Sequence, residues 1–404
     1  MNVCRYDWSS WLLAVTVLIA AMAGMPAGEV APPASPAPEP TLVDQLKLET
    51  HGFASFGYLR TWGNNWLADD TTNGSSEFHE AALNVLARPV DRLRLGAQLF
   101  TRDLGRYDNG RVSLDWAYAD YRAADWIGVQ VGRVKYPLGL FNEELDVDAA
   151  RTPIFLAPAV YALRTRDLFI STDGAKVYGL VGAGPLGRFE YSLFGGDTQY
   201  SNQGGLAGYL SDVGVGNRID SISGKWIAGG MLHWHTPLRG LGLRVSLVDL
   251  HHFTVMGETS GVTLETTSDN YYFGVASAIY ETGPLTFAAE YARARGRLDT
   301  HVGGVLVNST VNNFEDAYVS ATWHVRPRLD LYLAGEATVA DANDRSGSHA
   351  YAVVLAAALT PIDHWSIKIE GRQVEGALGI QASDNPGGIS KHWQVLALKT
   401  TVDF

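Results

Sequence analysis

From His51 to the end of the chain, apolar and polar residues alternate at every second position with almost no helical period. A strand needs about ten residues to cross a bilayer at a tilt, whereas strands of water-soluble proteins usually have five or six. The pattern therefore predicts sixteen long strands, at residues 51–61, 77–88, 91–101, 112–123, 126–135, 172–183, 187–197, 224–235, 241–251, 269–281, 284–297, 312–325, 328–339, 349–360, 363–374 and 391–404.

The connections between these segments alternate between short and long. Short turns, mostly containing Pro with Gly or Asp, occur at residues 88–91, 123–125, 184–187, 236–240, 282–284, 326–327 and 360–363. Longer polar loops occur at residues 62–76, 102–111, 136–171, 198–223, 252–268, 298–311, 340–348 and 375–390. Sixteen antiparallel strands need this arrangement when both termini lie on the short-turn side. In bacterial outer-membrane barrels that side is periplasmic.

The two faces of the segments differ in polarity. In segment 91–101, Leu93 and Leu95 lie on one face, and Arg92 and Arg94 lie on the other. A barrel in lipid places its apolar face outside and its charges inside, and it must close because every backbone group needs a partner in hydrocarbon. We therefore predict a sixteen-stranded antiparallel transmembrane β-barrel. An interfacial girdle is expected from Tyr58, Trp62, Trp66, Trp116, Tyr118, Trp126, Trp226, Trp234, Tyr271, Tyr280, Tyr291, Trp323 and Trp365.

The first fifty residues differ from the rest. The apolar run Trp11–Gly24, followed by small residues, predicts a signal peptide over residues 1–28. Residues 29–50 are rich in Pro and predict a periplasmic linker, which leaves residues 51–404 for the barrel. Hydrophobic residues make up 46% and the mean hydropathy is −0.03, values that exclude a helical membrane protein and a disordered chain. A net charge of −12 argues against nucleic acid as a partner.

Two features carry a resemblance to a known family. The last strand ends on Phe404 and resembles the assembly signal of Gram-negative outer-membrane barrels, which implies the barrel-assembly machinery as a partner. The stretches at 132–143, 162–167 and 171–174 are similar to uncharacterised porins distantly like the phosphate-selective porins. The resemblance implies an outer-membrane porin, that is, a homotrimeric passive diffusion channel for small hydrophilic or ionic solutes. It also implies a third loop that folds inward and narrows the pore.

The third loop, residues 136–171, separates its charges along the sequence. Its acidic half contains Glu143, Glu144, Asp146 and Asp148, and its basic half contains Arg151, Arg164 and Arg166. If the acidic half faces a basic wall, the pore has a transverse field at its narrowest point. Alternatively, these charges pair among themselves and only hold the loop closed. The candidate wall residues, all inward by parity, are Arg92, Arg94, Lys176, Arg188, Arg244, Lys368, Arg372 and Lys399.

Inward acidic residues nearly balance these cations, so the sequence leaves anion or cation preference open. They are Asp115, Glu190, Glu290, Glu336 and Glu370. Three arginines, Arg293, Arg295 and Arg297, continue an outward parity at the loop end of their strand. Guanidinium groups match phosphate oxygens, so we expect contact with lipopolysaccharide unless a bulge near Gly296 turns them into the pore mouth.

Other chemistry has little support in the sequence. His233 and His235 share one inward face, but a metal site needs a third ligand that the sequence does not show. We therefore expect no metal and no cofactor. A nucleophile motif is absent from the sequence, so an enzyme is not expected. The alternatives from other classes are an outer-membrane barrel enzyme that acts on lipids and a surface adhesin.

Overall fold

A computed structural model describes residues 46–404 except 106, 159, 162 and 347. The chain divides into two units, residues 1–42 and 43–404, and all described residues belong to the second. The predicted signal peptide and most of the predicted linker therefore lie outside the described residues. The first strand begins at Glu49, so the last two residues of the predicted linker belong to the sheet.

Strands and helices are numbered here in chain order over the described residues. The first nine strands are β1 Glu49–Trp62, β2 Phe78–Val90, β3 Leu93–Leu104, β4 Tyr107–Ala124, β5 Ile127–Lys135, β6 Ser171–Gly182, β7 Arg188–Asp197, β8 Gln199–Tyr200 and β9 Arg218–Ser223. The remaining strands are β10 Trp226–His235, β11 Leu241–Thr259, β12 Val262–Thr282, β13 Leu285–Val302, β14 Val305–Arg326, β15 Leu329–Val339, β16 His349–Ile362, β17 Trp365–Glu375 and β18 His392–Asp403.

Helical segments are short and lie in the connections. They are α1 Arg166–Phe169, α2 Gly205–Asp212 and the 3-10 turns Asn142–Glu144, Asp148–Ala150, Gly184–Leu186 and Ala382–Asp384. Over residues 46–404, apart from the four gaps, no helix has the length and apolar content that crossing a membrane requires.

The sheet closes on itself. Strand β1 pairs with β2 on one side and with β18 on the other, and β7 pairs with β10 across the connection that contains β8 and β9. Every pairing between the sixteen wall strands is antiparallel. The structure thus confirms the predicted closed barrel of sixteen antiparallel strands.

Four strands extend further than the alternation predicts. The segments 252–268 and 298–311, predicted as loops, continue the pairing of β11 with β12 and of β13 with β14. The second hairpin turns on Gly303 and Gly304, whose φ angles of 57° and 82° suit a tight two-residue turn. The prediction was wrong here because the apolar alternation reports contact with lipid, whereas backbone pairing continues past the lipid into water.

The outer face of the barrel is apolar and exposed. Leu355 is 61% exposed and Val353 55%, whereas their inward neighbour Val354 is fully buried. Charged residues such as Lys368 and Glu370 are buried on the inner face, where a water-soluble sandwich would have its apolar core. The polarity is therefore that of a barrel whose outside contacts lipid.

Of the thirteen aromatic residues expected at the membrane interface, seven are exposed, four are partly exposed and two are buried. Trp66 and Trp116 are each only 8% exposed. Trp66 packs edge-on against Phe155, at 5.4 Å between ring centroids, and Trp116 stacks on Tyr118 at 5.2 Å. The girdle prediction was wrong for both residues, because position near a strand end does not determine which face a side chain occupies.

Two apolar clusters join the connection between β5 and β6 to inward-facing side chains of the wall. In the first, Leu156 and Val160 pack with Phe194, Ile227 and Val248. In the second, Ile154 and Phe155 pack with residues of β1, β2 and β18. The connection thus has apolar contacts on both sides of the barrel.

Candidate functional site: the third loop and the inner wall

The third loop, residues 136–170, is bound to wall strands that lie far apart around the barrel. Its Gly139 amide donates to Ser246 Oγ on β11 at 2.9 Å. Its Ile154 amide donates to Glu370 Oε2 on β17 at 2.7 Å. The loop is therefore attached to the inner wall at more than one place.

The first attachment is the Asp148 cluster, which consists of Asp148, Lys368, Lys399 and Thr401, all buried. The carboxylate of Asp148 lies 3.1 Å from Lys399 Nζ and 3.4 Å from Lys368 Nζ, and it accepts a hydrogen bond from Thr401 Oγ1 at 2.8 Å. Burial alone would raise the pKa of Asp148. The positive charges of Lys399, Lys368 and Arg151 have the larger effect, so the pKa lies well below its ordinary range. Asp148 is therefore a fixed anion.

The second attachment is the Arg166 cluster, formed by Arg166, Asp115, Asp146 and Lys135. The Arg166 guanidinium lies 2.7 Å from Asp115 and 2.5 Å from Asp146, and Lys135 Nζ lies 2.6 Å from Asp146. Burial disfavours the charge on Asp146. The neighbouring cations Lys135 and Arg166 have the larger effect and hold the pKa of that carboxyl well below its ordinary range. The loop is thus joined to β4 by a charge network that stays ionised.

The third attachment centres on Glu290 of β13. Its carboxylate accepts hydrogen bonds from Tyr161 Oη at 2.5 Å, Ser277 Oγ at 2.6 Å and Tyr318 Oη at 2.7 Å. The backbone amide of Leu140 also donates to it at 2.8 Å. Burial and the adjacent carboxylate raise the pKa of Tyr161 well above its ordinary range, so the phenol remains a donor.

The other charged residues of the loop take different positions. Glu143 pairs with Lys176 of β6 at 2.7 Å, whereas Glu144 is exposed. Arg151 stays within the loop, 3.5 Å from Asp148, and Arg164 donates to a backbone carbonyl in the connection after β17. Glu143, Asp146 and Asp148 therefore pair with lysines of the wall, while Arg151 binds the loop itself. The structure contains both arrangements that the sequence left open.

Two further wall cations, Arg244 and Arg372, also have partners. Arg244 donates to the backbone carbonyl of Gly139 at 2.8 Å, which adds another contact to the third loop. Arg372 pairs with Glu370 at 2.9 Å and with Glu336. Most of the predicted basic wall is thus neutralised by neighbouring acids.

Two of the predicted wall cations, Arg92 and Arg94, instead line a cavity of about 310 Å³ near the short turns, which we call the short-turn vestibule. Arg94 of β3 pairs with Asp120 at 2.9 Å and remains 41% exposed at its side chain. Arg92 lies in the turn before β3, is exposed, and donates to the Ala123 carbonyl. Arg188 is the exposed first residue of β7. The vestibule lining comprises Lys47, Arg88, Val90, Asp91, Arg92, Leu93, Arg94, Asp120, Arg122 and Tyr178.

Sequence reasoning missed three of the vestibule cations, Lys47, Arg88 and Arg122. Lys47 precedes the first predicted strand. Arg88 and Arg122 lie at segment ends, where their inward parity was the available signal. The lining holds five cations and two carboxylates, so its formal charge is positive.

No protein-family model matches the chain, and no curated protein matches it. Several solved structures do match this chain. OmpF of Salmonella typhi, in complex with daunomycin, is 13% identical with a TM-score of 0.58, and the match covers 90% of this chain and 99% of that one. An anion-selective porin from Comamonas acidovorans is 11% identical with a TM-score of 0.53, over 88% and 99% of the two chains. The chain has the outer-membrane porin fold.

A third match is to a solved structure of a trimer. OmpT, an outer membrane protein of Vibrio cholerae in its trimer form, is 12% identical with a TM-score of 0.54, over 88% of this chain and 99% of that one. Together with the exposed apolar outer face, the porin fold places this barrel in the bacterial outer membrane.

On the outer face of the porin-fold barrel, the three predicted lipid-side arginines are exposed and share the face of Phe287 and Tyr291. Arg293 donates to Asn313 Oδ1 at 2.8 Å. Exposed and buried residues continue to alternate through Arg297, so Arg295 and Arg297 keep the outward parity.

The chain terminus closes the seam of the barrel. Phe404 and Gly52 exchange backbone hydrogen bonds of 3.0 and 3.1 Å. A Cβ atom on Gly52 would lie 2.6 Å from the Phe404 ring, so a residue without a side chain is needed opposite the terminal aromatic. Sequence reasoning identified Phe404 but not Gly52.

The inner wall also holds a group of possible metal ligands. His233 and His235 of β10 lie opposite Glu190 of β7, and one ligand atom from each residue lies within 4.8 Å of the others. The sequence indicated the two histidines, and strand pairing supplies the carboxylate.

Proposed function

We propose that the protein is a porin that lets small hydrophilic or ionic solutes diffuse passively across the outer membrane, with the third loop as its constriction. One observation carries the proposal: the third loop is bound to inward side chains of β11, β13, β17 and β18. Because these strands lie on different sides of a closed barrel, a loop that reaches all of them crosses the lumen. It narrows the route without forming part of the wall.

Conductance in a planar lipid bilayer tests this function. Refolded protein should give steady ohmic steps in salt solution and no hydrolysis of the bilayer lipid. Silence together with lipid hydrolysis would instead support a barrel enzyme. Silence without hydrolysis, combined with binding to host cells or matrix, would support an adhesin.

We further propose that selectivity depends on the short-turn vestibule. Lys368 and Lys399 are buried and paired with Asp148, whereas Arg94 beside the vestibule is 41% exposed at its side chain. The vestibule lining has five cations against two carboxylates, and Glu49 and Asp125 next to it pair with Arg88 and Arg122. Exposed charges at a narrow opening act on passing ions. Anions should therefore permeate more readily than cations, a preference also named for the Comamonas acidovorans porin.

The outer arginines are proposed to bind the phosphate groups of lipopolysaccharide. Arg293, Arg295 and Arg297 are exposed on the face that carries the apolar band, towards the loop side of β13. Replacing all three with Gln should reduce the lipopolysaccharide that copurifies with the barrel and leave conductance unaltered. Changed conductance with unchanged lipopolysaccharide would reject this role.

Assembly is the last part of the proposal. The fold resembles OmpT in its trimer form, and we propose a homotrimer that the barrel-assembly machinery inserts through the Phe404 signal. Mass measurement in detergent should give three copies, and a single copy would contradict the trimer. Phe404→Ala should lower the yield of inserted barrel, and an unchanged yield would reject the signal.

A further inference from the structure

Glu190, His233 and His235 form a group on the inner wall, near the short turns that precede β7 and follow β10. His233 and Glu190 are direct cross-strand partners in the pairing of β10 with β7. His235 lies two residues further along the same inner face. The group therefore rests on two hydrogen-bonded strands rather than on a mobile loop.

The separations fit a small metal ion. Glu190 Oε2 lies 3.9 Å from His233 Nδ1 and 3.5 Å from His235 Nε2. Around a tetrahedral ion with ligand bonds of about 2.0–2.1 Å, neighbouring ligand atoms are about 3.4 Å apart. Small side-chain rotations would bring the three atoms to that spacing.

We propose that these three side chains bind a divalent transition-metal ion such as Zn²⁺, with one coordination position left to water or a solute. Two imidazoles and one carboxylate favour zinc-like ions over Ca²⁺ or Mg²⁺, which prefer all-oxygen sites. Glu190 and His235 are 42% and 36% exposed at their side chains, so an ion in the lumen can reach them. The binding proposal does not depend on the channel function.

Arg244 competes with the ion for a ring nitrogen of His233. Arg244 on β11 has a guanidinium nitrogen 3.2 Å from His233 Nδ1. The same guanidinium donates to the Gly139 carbonyl at 2.8 Å through its other terminal nitrogen. An incoming ion must displace the first contact, but the second can persist. The competing contact should weaken the site without abolishing it.

Calorimetric titration of the metal-free, untagged full chain with ZnCl₂ tests the proposal. The wild type should bind one saturable ion per chain. Glu190→Gln and His235→Asn should each lower the affinity at least tenfold. His324→Asn is the matched control, because His324 is also an inward, part-exposed histidine near the short turns and contacts the single carboxylate Asp330 at 2.9 Å.

A variant that binds zinc more tightly than the wild type cannot be explained by misfolding. Arg244→Gln removes the competing guanidinium and should make zinc bind several-fold more tightly. Absence of saturable binding in the wild type would overturn the proposal. Equal affinity in the wild type, Glu190→Gln and His235→Asn would overturn it as well, because zinc would then be bound elsewhere.

Discussion

Two sets of inner-wall cations share the same parity and charge but have different roles. Lys368 and Lys399 on β17 and β18 have side chains only 2% exposed and are bound to Asp148 of the third loop. Arg94, on β3, keeps 41% of its side chain exposed beside the short-turn vestibule. The first set binds the loop, and the second is open to solvent at the vestibule.

Counting inward charges therefore does not show which of them stay open to solvent. A buried cation within contact of a carboxylate forms a nearly neutral pair, and removing one partner leaves an uncompensated charge. An exposed cation retains a field that extends over about one Debye length, roughly 8–10 Å in physiological salt. Position relative to the loop therefore decides whether a charge is neutralised or keeps a field in the lumen.

The largest expected effect comes from removing the anion at the Asp148 cluster. Asp148→Ala leaves Lys368 and Lys399 without this carboxylate, and the loop attachment should weaken by about 3 kcal/mol. A spin label on Glu144→Cys, an exposed position of the same loop, should become markedly more mobile. Cys4, the single cysteine of the chain, is replaced by Ser for this measurement.

Val147→Ala provides the control, because Val147 is half exposed beside Asp148. It should leave the label as immobile as in the wild type. An equally immobile label in Asp148→Ala would show that the Asp148 cluster does not hold the loop.

Acid should weaken the same attachment only at low pH. The folded-state pKa values of Asp146 and Asp148 lie below the ordinary 3.8, so their stabilisation is complete above that value and is lost as the pH falls through the folded pKa. The label should keep its mobility from about pH 8 to 5 and become more mobile below about pH 4. Loosening between pH 8 and 5 would mean that other groups control the loop.

The smallest expected effect is on ion selectivity. Replacing Arg92 and Arg94 with Gln should lower the permeability ratio of anions to cations, by about twofold for each charge. A unit charge about 8 Å from an ion in water contributes about 0.5 kcal/mol. The reversal potential in a salt gradient measures this ratio. Arg133→Gln, which breaks an outer-face pair with Asp173, is the control and should leave the potential unchanged.

The alternation predicted the sixteen strands well because contact with lipid imposes it directly on the sequence. Parity also places Arg94 and Lys399 on the inner face, but it does not show which of them the third loop covers. That depends on contacts such as Asp148 with Lys399, which lie 251 residues apart in sequence. Likewise, the sequence does not show that Glu190 lies next to His233, because that proximity follows from the register of β7 against β10.

The most direct test of the constriction is the single-channel conductance of a variant in which residues 142–165 are replaced by a short Gly-Ser linker. The wall strands pair with one another outside this segment, so the barrel should still form. We predict larger conductance steps than in the wild type, because the segment that crosses the lumen has been removed. Steps of unchanged size from a correctly folded barrel would contradict a constriction by the third loop.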